Sequence, residues 1–195
     1  MLNQKTRQIF EKNGGVLTLP KALECGLSKE GVRKMYLRGE LEKVHAGVYT
    51  LKNDLPDELL LLQTVYSKGV LSHESAAALY GFTSFTPTEP IFSFPQGYKL
   101  YRNPKLAIAP YFVSREQYQT GIKEVQTWEG NPILAYNPEK TLVDLARSRY
   151  TLPLIFEEVM QGYFALGDVN VERLLGYAQQ FGVLDKMKKE MTVYA

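Results

Sequence analysis

The sequence has little of what a membrane span, a disulfide framework or a metal centre would require. Its longest leucine run, Leu59–Leu62, is far shorter than the roughly 20 apolar residues that cross a bilayer. Cys25 is the only cysteine, which excludes an internal disulfide and a multi-cysteine zinc site. The polar N-terminal segment has no apolar block behind it, so no secretory signal is expected. We therefore expect a cytoplasmic protein with no metal and no cofactor.

Positive charge is concentrated in the first quarter of the chain. The 195 residues are 45% hydrophobic with a net charge of +2, which is typical of a folded protein rather than a disordered one. Residues 1–52 contain ten Lys and Arg against five Asp and Glu, whereas residues 53–195 contain thirteen against sixteen. This asymmetry favours a small nucleic-acid-binding module, although solvated surfaces also carry such an excess by chance.

Local signals in residues 1–52 predict a winged helix-turn-helix domain. A helix from Gln4 ends at Gly14, a second begins at Pro20, and a third follows Ser28, which is a good N-cap. The strands Leu41–Val44 and Val48–Leu51 flank a predicted three-residue loop, His45–Gly47, which is a hairpin signal. The short turn between helices two and three, Cys25–Leu27, contains the glycine that this motif needs.

The remainder, residues 56–195, is predicted to be an α+β domain after a linker at Asn53–Asp57. It has a small, mainly antiparallel sheet and C-terminal helices, so the whole chain falls in the α/β (α+β) class. The expected strands are Ile91–Phe94, Leu106–Ala109, Tyr111–Val113 and Val125–Trp128, and the expected helices begin at Pro56, after Ser72, after Asn137, at Leu154 (to Leu166) and at Val171 (to Phe181).

The candidate DNA-binding residues follow from this domain. Arg33, on the face of the third helix opposite its apolar stripe, can bridge guanine O6 and N7, so we expect it to read a base. The expected backbone contacts are Lys29 and Lys34 on the same helix, Arg38, Lys43 and His45 toward the hairpin, Lys21 on the second helix, and Lys5 and Arg7 on the first. The alternative is that these cations are ordinary solvated surface charges.

Catalytic patterns are weak. Ser72, His73 and Glu74 are consecutive, and neighbours on a helix point about 100° apart, so we expect no relay among them. His45 has no second ligand at metal-binding spacing. Lys140 and Asp144 are spaced for an i,i+4 helix pair worth a few tenths of a kcal/mol. We predict no catalytic residues and no enzyme activity.

The aromatic residues of the β-rich stretch could form a stacking platform for single-stranded RNA. The simpler interpretation is that they pack the sheet. The basic residues Lys99, Arg102 and Lys105 lie close to them in the sequence and could instead extend the DNA-binding surface.

Three segments resemble AbiEi-type antitoxins. The first is the N-terminal region, which carries the matching stretches Gly15–Thr18, Leu27–Ser28, Val32–Met35, Arg38–Leu41 and Gly47–Tyr49. The second is Ser72–Phe82, which is similar to the helix that opens the family's second domain. The third is Tyr136–Leu145, which is similar to the start of that domain's helical part. Leu37 departs from the family, which often has a basic residue there.

The resemblance implies a type IV toxin–antitoxin system linked to abortive phage infection. Its winged helix would repress its own operon at inverted repeats, and its second domain would counteract a nucleotidyltransferase toxin without a stable complex. The chain would bind DNA as cooperative monomers or as a weak dimer. Two rival functions remain open from the sequence, a ligand-responsive transcription regulator and an inhibitor that binds a partner protein directly.

Overall fold

The computed structural model describes residues 3–165, 167 and 169–193, which form ten helices and eight strands in two sheets. The chain divides into two compact units. The first contains the described residues up to 67, together with 102–106 and 126–133, and the second contains 68–101, 107–125 and the described residues from 134 onward. Within the described part of the chain, no helix is long and apolar enough to cross a membrane. The expected α+β class is confirmed.

The first unit has the element order of a winged helix-turn-helix. Its elements are α1 (Gln4–Glu11), β1 (Val16–Thr18), α2 (Leu19–Glu24), α3 (Lys29–Leu37), β2 (Leu41–His45), β3 (Val48–Leu51) and α4 (Glu58–Val65). The strands form one antiparallel sheet in the order β1-β3-β2. The prediction that His45 lies in the hairpin loop is wrong, because the chain continues β2 through an irregular register and pairs His45 with Val48.

Short side-chain caps and a buried core hold α1, α2 and α3 against the sheet. Asn3 accepts from the backbone N–H of Lys5 at the start of α1, and Thr18 accepts from that of Lys21 at the start of α2. The core consists of apolar residues from the three helices and the sheet, Phe10, Leu17, Ala22, Val32, Met35, Leu41 and Leu51, all 7% exposed or less. Burial of this kind is the main force that fixes the helices against the sheet.

The first unit also includes two segments from much later in the chain. In the segment 126–133, Thr127 Oγ1 and Asn131 Nδ2 both donate to Oδ2 of the buried Asp57, at 2.5 and 2.8 Å. Oδ1 of Asp57 accepts from the backbone N–H of Leu60 and so caps α4. The first compact unit is therefore larger than the predicted DNA-binding domain, residues 1–52. The bounds of that domain stay a prediction.

The later elements build the second sheet and its helices. They are β4 (Val70–Leu71), α5 (His73–Leu79), β5 (Ile91–Pro95), β6 (Ala109–Val113), α6 (Arg115–Gln119), β7 (Ile122–Gln126), β8 (Pro132–Tyr136), α7 (Pro138–Arg147), α8 (Pro153–Ala165), α9 (Val171–Gln180) and α10 (Leu184–Met191). The strand order is β6-β5-β4-β8-β7. Antiparallel pairs predominate over the two sheets together. In the second sheet, which we expected to be mainly antiparallel, β4–β5 is antiparallel whereas β4–β8 and β5–β6 are parallel.

Three local expectations for this region change. Only Ala109 of the predicted strand Leu106–Ala109 is in a strand, since Leu106 packs in the first unit. Helix α6 interrupts a stretch expected to contain strands alone. The last predicted strand, Val125–Trp128, is shifted toward the N-terminus, because β7 ends at Gln126 where Thr127 turns to bind Asp57. The expected end of α8 at Leu166 lies outside the described residues.

Helix α7 is the centre of the second core, and it contains a buried ion pair. Lys140 Nζ donates to both carboxylate oxygens of Asp144 at 2.6 Å, and the two side chains are 0% and 4% exposed. The Lys140 ammonium also lies 4.3 Å from the centre of the Tyr136 ring. The prediction of an ordinary helix pair worth a few tenths of a kcal/mol is therefore wrong about the surroundings of the pair, because both charges are removed from water.

His73 adopts an uncommon backbone conformation at the start of α5. Its φ is +52°, whereas Ser72 before it is extended, and this bend brings His73 Nδ1 to 3.0 Å from Ser72 Oγ. The two side chains therefore meet, although neighbours on a helix point about 100° apart, because Ser72 precedes the helix. That they form no catalytic relay stays a prediction. Ser72 Oγ also accepts from Ser93 Oγ and does not cap α5. Ser72 is fully buried, so no exposed nucleophile results.

Burial lowers the pKa of His73 below its ordinary value of 6.5. The nearby carboxylates of Asp144 and Glu74 oppose this shift, and the cations of Lys140 and Arg147 add to it. Below about pH 6.5 the unfolded chain therefore binds a proton that the folded chain does not yet bind. The free energy of unfolding must consequently fall as the pH drops from 6.5 toward the lowered pKa.

We predict this loss of stability in urea unfolding between pH 7.5 and 5.5, with a slope of at most about 1.4 kcal/mol per pH unit from this residue. A His73→Asn variant should have a flatter profile, because asparagine tolerates positive φ and does not titrate. The matched control is His45→Asn, which makes the same substitution at the half-buried histidine of β2. Equal slopes for wild type and His73→Asn would show that His73 does not set this pH dependence.

Candidate nucleic-acid interface

Helix α3 is held in a fixed position by its turn and its cap. Gly26, at φ +86°, makes the tight turn from α2 that other residues adopt only with strain. Ser28 Oγ then accepts from the backbone N–H of Gly31 at 2.9 Å, as predicted for an N-cap. Val32 and Met35 anchor the inner face of α3 in the core at 2% and 7% exposure. The outer face is thereby presented to solvent in one orientation.

That outer face carries three exposed cations, Lys29, Arg33 and Lys34. Arg33 Nη1 lies 3.5 Å from Glu30 Oε1, and both side chains are about 60% exposed. An exposed pair of this geometry contributes little, so Arg33 can leave Glu30 for a stronger partner. Lys34 lies in the last turn of α3, where a cation also interacts favourably with the helix dipole.

The hairpin of β2 and β3, which we call the wing, adds cations beside α3. Lys43 is exposed on β2 opposite Tyr49, and His45 is half-buried. A groove of about 580 Å³ separates the wing from the end of α3 and is lined by Tyr36, Leu37, Gly39, Leu41, Glu42, Lys43 and Lys52. Sequence reasoning did not select Lys52, because a lysine after a strand carries no signal by itself. Only the fold places it in the same groove as Lys43.

Three of the other candidate cations form ion pairs with acidic side chains. Arg38 Nη2 donates to Glu40 Oε2 at 2.9 Å, which raises the pKa of Arg38 and lowers the pKa of Glu40 from their ordinary values. Lys21 pairs with Glu24 at 3.2 Å and Arg7 with Asp54 at 2.9 Å. Lys5 is exposed on α1. Arg38, Lys21 and Arg7 must exchange a carboxylate for a phosphate in order to bind DNA. Lys5, Lys29 and Lys34 have no ion-pair partner among the described residues.

An exposed apolar end completes α3. Leu37 is 65% exposed and Tyr36 44%, and the Tyr36 ring meets Tyr49 of β3 edge to face at 6.4 Å. The end of α3 is therefore partly apolar, with Lys29 in the first turn, Arg33 in the middle and Lys34 in the last turn. In helix-turn-helix proteins the N-terminal part of the recognition helix contacts base edges, so the placement of Lys29 and Arg33 ahead of the apolar end suits that contact.

The Ser28 cap yields a direct prediction. Replacing Ser28 with alanine removes the acceptor for the Gly31 N–H and should lower the free energy of unfolding by about 1 kcal/mol. Urea unfolding would measure this, with Ser67→Ala as a control at an exposed serine that caps no helix. If the two variants were equally stable, the cap would not be what fixes the start of α3.

The arrangement suits binding of a polyanion. In the described part of the chain, no three His, Cys, Asp or Glu residues come together in a way that could hold a metal ion. The aromatic residues Phe92 and Phe94 are fully buried in the second sheet, which supports their packing role. The first unit is thus a winged helix-turn-helix whose outer helix face is basic.

Comparison with known proteins gives a structural relative. No family model matches the chain. No curated protein matches it either. Among solved structures, the RV2827C protein from Mycobacterium tuberculosis is similar over 92% of this chain and 72% of that one, with a TM-score of 0.60 and 16% sequence identity. At this identity the likeness concerns the fold alone.

Proposed function

We propose that this protein is a DNA-binding autorepressor and antitoxin of a type IV toxin–antitoxin system. The observation that carries the DNA-binding part is the rigidly held helix α3, which presents Lys29, Arg33 and Lys34 on the face opposite its buried residues. The antitoxin part rests on the resemblance of three segments to AbiEi-type antitoxins.

In the proposed complex, α3 enters the major groove of double-stranded DNA. The Arg33 guanidinium leaves Glu30 and donates to O6 and N7 of one guanine, which the single ammonium of a lysine does not match. Lys29 and Lys34 contact phosphates on either side of the groove, and Lys43 of the wing contacts the adjacent backbone. Phosphate contacts set the position, and the Arg33 contact supplies sequence discrimination.

The remaining parts of the proposal concern the cell. The protein acts in the cytoplasm on inverted repeats in its own promoter, as cooperative monomers or a weak dimer. The second domain counteracts a nucleotidyltransferase toxin without forming a stable complex. The proposal includes no enzyme activity and no cofactor.

A promoter–reporter assay tests the repression. The chain, supplied in trans, should lower expression from the DNA upstream of its own gene, and Arg33→Ala should restore that expression. Antitoxin activity is tested separately, by inducing a nucleotidyltransferase encoded beside this gene and measuring whether the protein restores growth. Affinity purification should then show that the two proteins do not stay bound to each other. Unchanged reporter expression would contradict autorepression, and stable co-purification would favour an inhibitor that acts by direct contact.

A ligand-responsive regulator is the second candidate, because the second unit contains a pocket. The pocket has a volume of about 300 Å³ and is lined by Leu145, Thr151, Pro153, Phe156, Glu157, Lys186, Glu190 and Val193. This volume is at the lower end of the range for small-molecule sites. A small molecule that co-purifies with the protein and releases it from DNA would favour this candidate.

A further inference from the structure

The segment 102–106 is fixed to the wing although it lies about 60 residues further along the chain. Asn103 Nδ2 donates to the backbone carbonyl of Val44, next to the last residue of β2, at 2.8 Å. The hydroxyl of the buried Tyr66 accepts from the Asn103 N–H at 3.0 Å and donates to the carbonyl of Leu106 at 2.8 Å. The side chain of Leu106 packs in the same apolar cluster as Val44. These contacts tie the segment down at both ends.

Hydrogen bonds within the segment also fix its conformation. Asn103 Oδ1 accepts from the backbone N–H of Lys105 at 3.0 Å, and the Asn103 carbonyl accepts from that of Leu106 at 2.9 Å. Both polar atoms of the Asn103 side chain are therefore engaged, one within the turn and one on the wing. A turn held in this way presents its remaining side chains in a defined position.

Two of those remaining side chains are basic. Arg102 and Lys105 both face solvent and have no ion-pair partner in the described part of the chain. Val44, to which the turn is attached, lies between Lys43 and His45. The hydrogen bond from Asn103 to the Val44 carbonyl therefore places the turn that carries Arg102 and Lys105 beside the part of β2 that contains Lys43 and His45. The nearest acidic residue of β2 in sequence is the exposed Glu42.

Protection of the strand edge accounts for only part of this arrangement. Strand β2 is at the edge of its sheet, and the tie from Asn103 occupies one of its free carbonyls. Covering the edge requires Asn103 and Leu106, but it makes no use of the two cations that flank them. Their position beside Lys43 matches what a phosphate backbone running past the wing would meet.

We propose that the segment 102–106 is a second backbone-binding element, in which Arg102 and Lys105 extend the wing along the phosphates next to the site bound by α3. This inference rests on the proposed DNA-binding function. It assigns the surface to duplex DNA, and it makes the interface discontinuous in sequence. Lys99, which the sequence grouped with these two cations, belongs to the second compact unit and is not part of this element.

Salt-dependent binding tests the inference on the full chain. The probe is the duplex upstream of its own gene, labelled for fluorescence anisotropy at several salt concentrations. In the double variant Arg102→Gln, Lys105→Gln, the log–log salt slope should become shallower by about 0.9 for each lost phosphate contact. A double variant Lys123→Gln, Lys188→Gln, at exposed lysines of β7 and α10, makes the same change in net charge and should keep the wild-type slope.

A third variant tests whether the position of Arg102 and Lys105 matters as well as their charge. Asn103→Ala keeps both cations but removes the tie to Val44, so it should weaken binding as well, with thermal unfolding used to check that the protein stays folded. Wild-type affinity and slope in the Arg102→Gln, Lys105→Gln variant would overturn this inference, and so would an equal loss in the control pair. If Arg33→Ala still weakened binding in that case, the proposed function would stand. Absence of any wild-type binding would overturn both.

Discussion

Replacing Arg33 with alanine is expected to weaken binding to the cognate promoter by about 1–3 kcal/mol, or roughly 5- to 150-fold. The reason is that α3 offers one guanidinium able to form two parallel hydrogen bonds to a guanine, and alanine removes both. Its present partner, Glu30, is exposed at 3.5 Å and holds Arg33 only weakly. Anisotropy titrations on promoter and shuffled duplexes of equal length would measure the effect.

Arg33→Lys is the matched control, since it preserves the charge but lacks the planar fork. It should bind shuffled DNA as the wild type does, and its affinity for the promoter should fall toward that of Arg33→Ala. If Arg33→Lys instead kept full promoter affinity, Arg33 would contribute charge alone, and the base-reading role would have to move to another residue of α3.

Replacing Asp144 with asparagine is expected to lower the free energy of unfolding by about 3–5 kcal/mol. This change leaves Lys140 buried, at 0% exposure, without the carboxylate that now accepts two hydrogen bonds from it. Burial already lowers the pKa of Lys140, and the Asp144 carboxylate opposes that shift. Removing the carboxylate should therefore lower the Lys140 pKa further. Urea unfolding at pH 7 would measure the loss.

Two comparisons isolate the cause of that loss. The double variant Lys140→Met, Asp144→Leu leaves no buried charge and should be closer to wild type than Asp144→Asn. Glu24→Gln, which breaks the exposed pair with Lys21, should cost less than about 1 kcal/mol. Equal costs for Asp144→Asn and Glu24→Gln would mean that the α7 pair is no more important than a surface pair.

The sequence predicts the elements of residues 1–52 well because their signals are local. The Ser28 cap, the Gly26 turn and the hairpin each depend on a few adjacent residues, and the structure confirms all three, except that His45 continues β2 and does not lie in the hairpin loop. The exposed basic face of α3 follows from them, because helical periodicity places cations opposite Val32 and Met35.

What the sequence could not predict depends on tertiary contacts. The spacing of Lys140 and Asp144 shows that they can pair, but their burial depends on helices packed around α7. The contact between Ser72 and His73 requires a positive φ that nothing in the residue types demands. The turn that carries Arg102 and Lys105 is bonded to the wing by Asn103 and Val44, which are separated by 59 residues.

Sequence-specific binding is tested by the affinity of the wild-type protein for the duplex upstream of its own gene, measured against a shuffled duplex of the same composition at about 0.15 M salt. A sequence-specific repressor is expected to prefer its own site by about 10³-fold or more. Arg33→Ala should reduce this preference. Equal affinity of the wild type for the two duplexes would contradict the account.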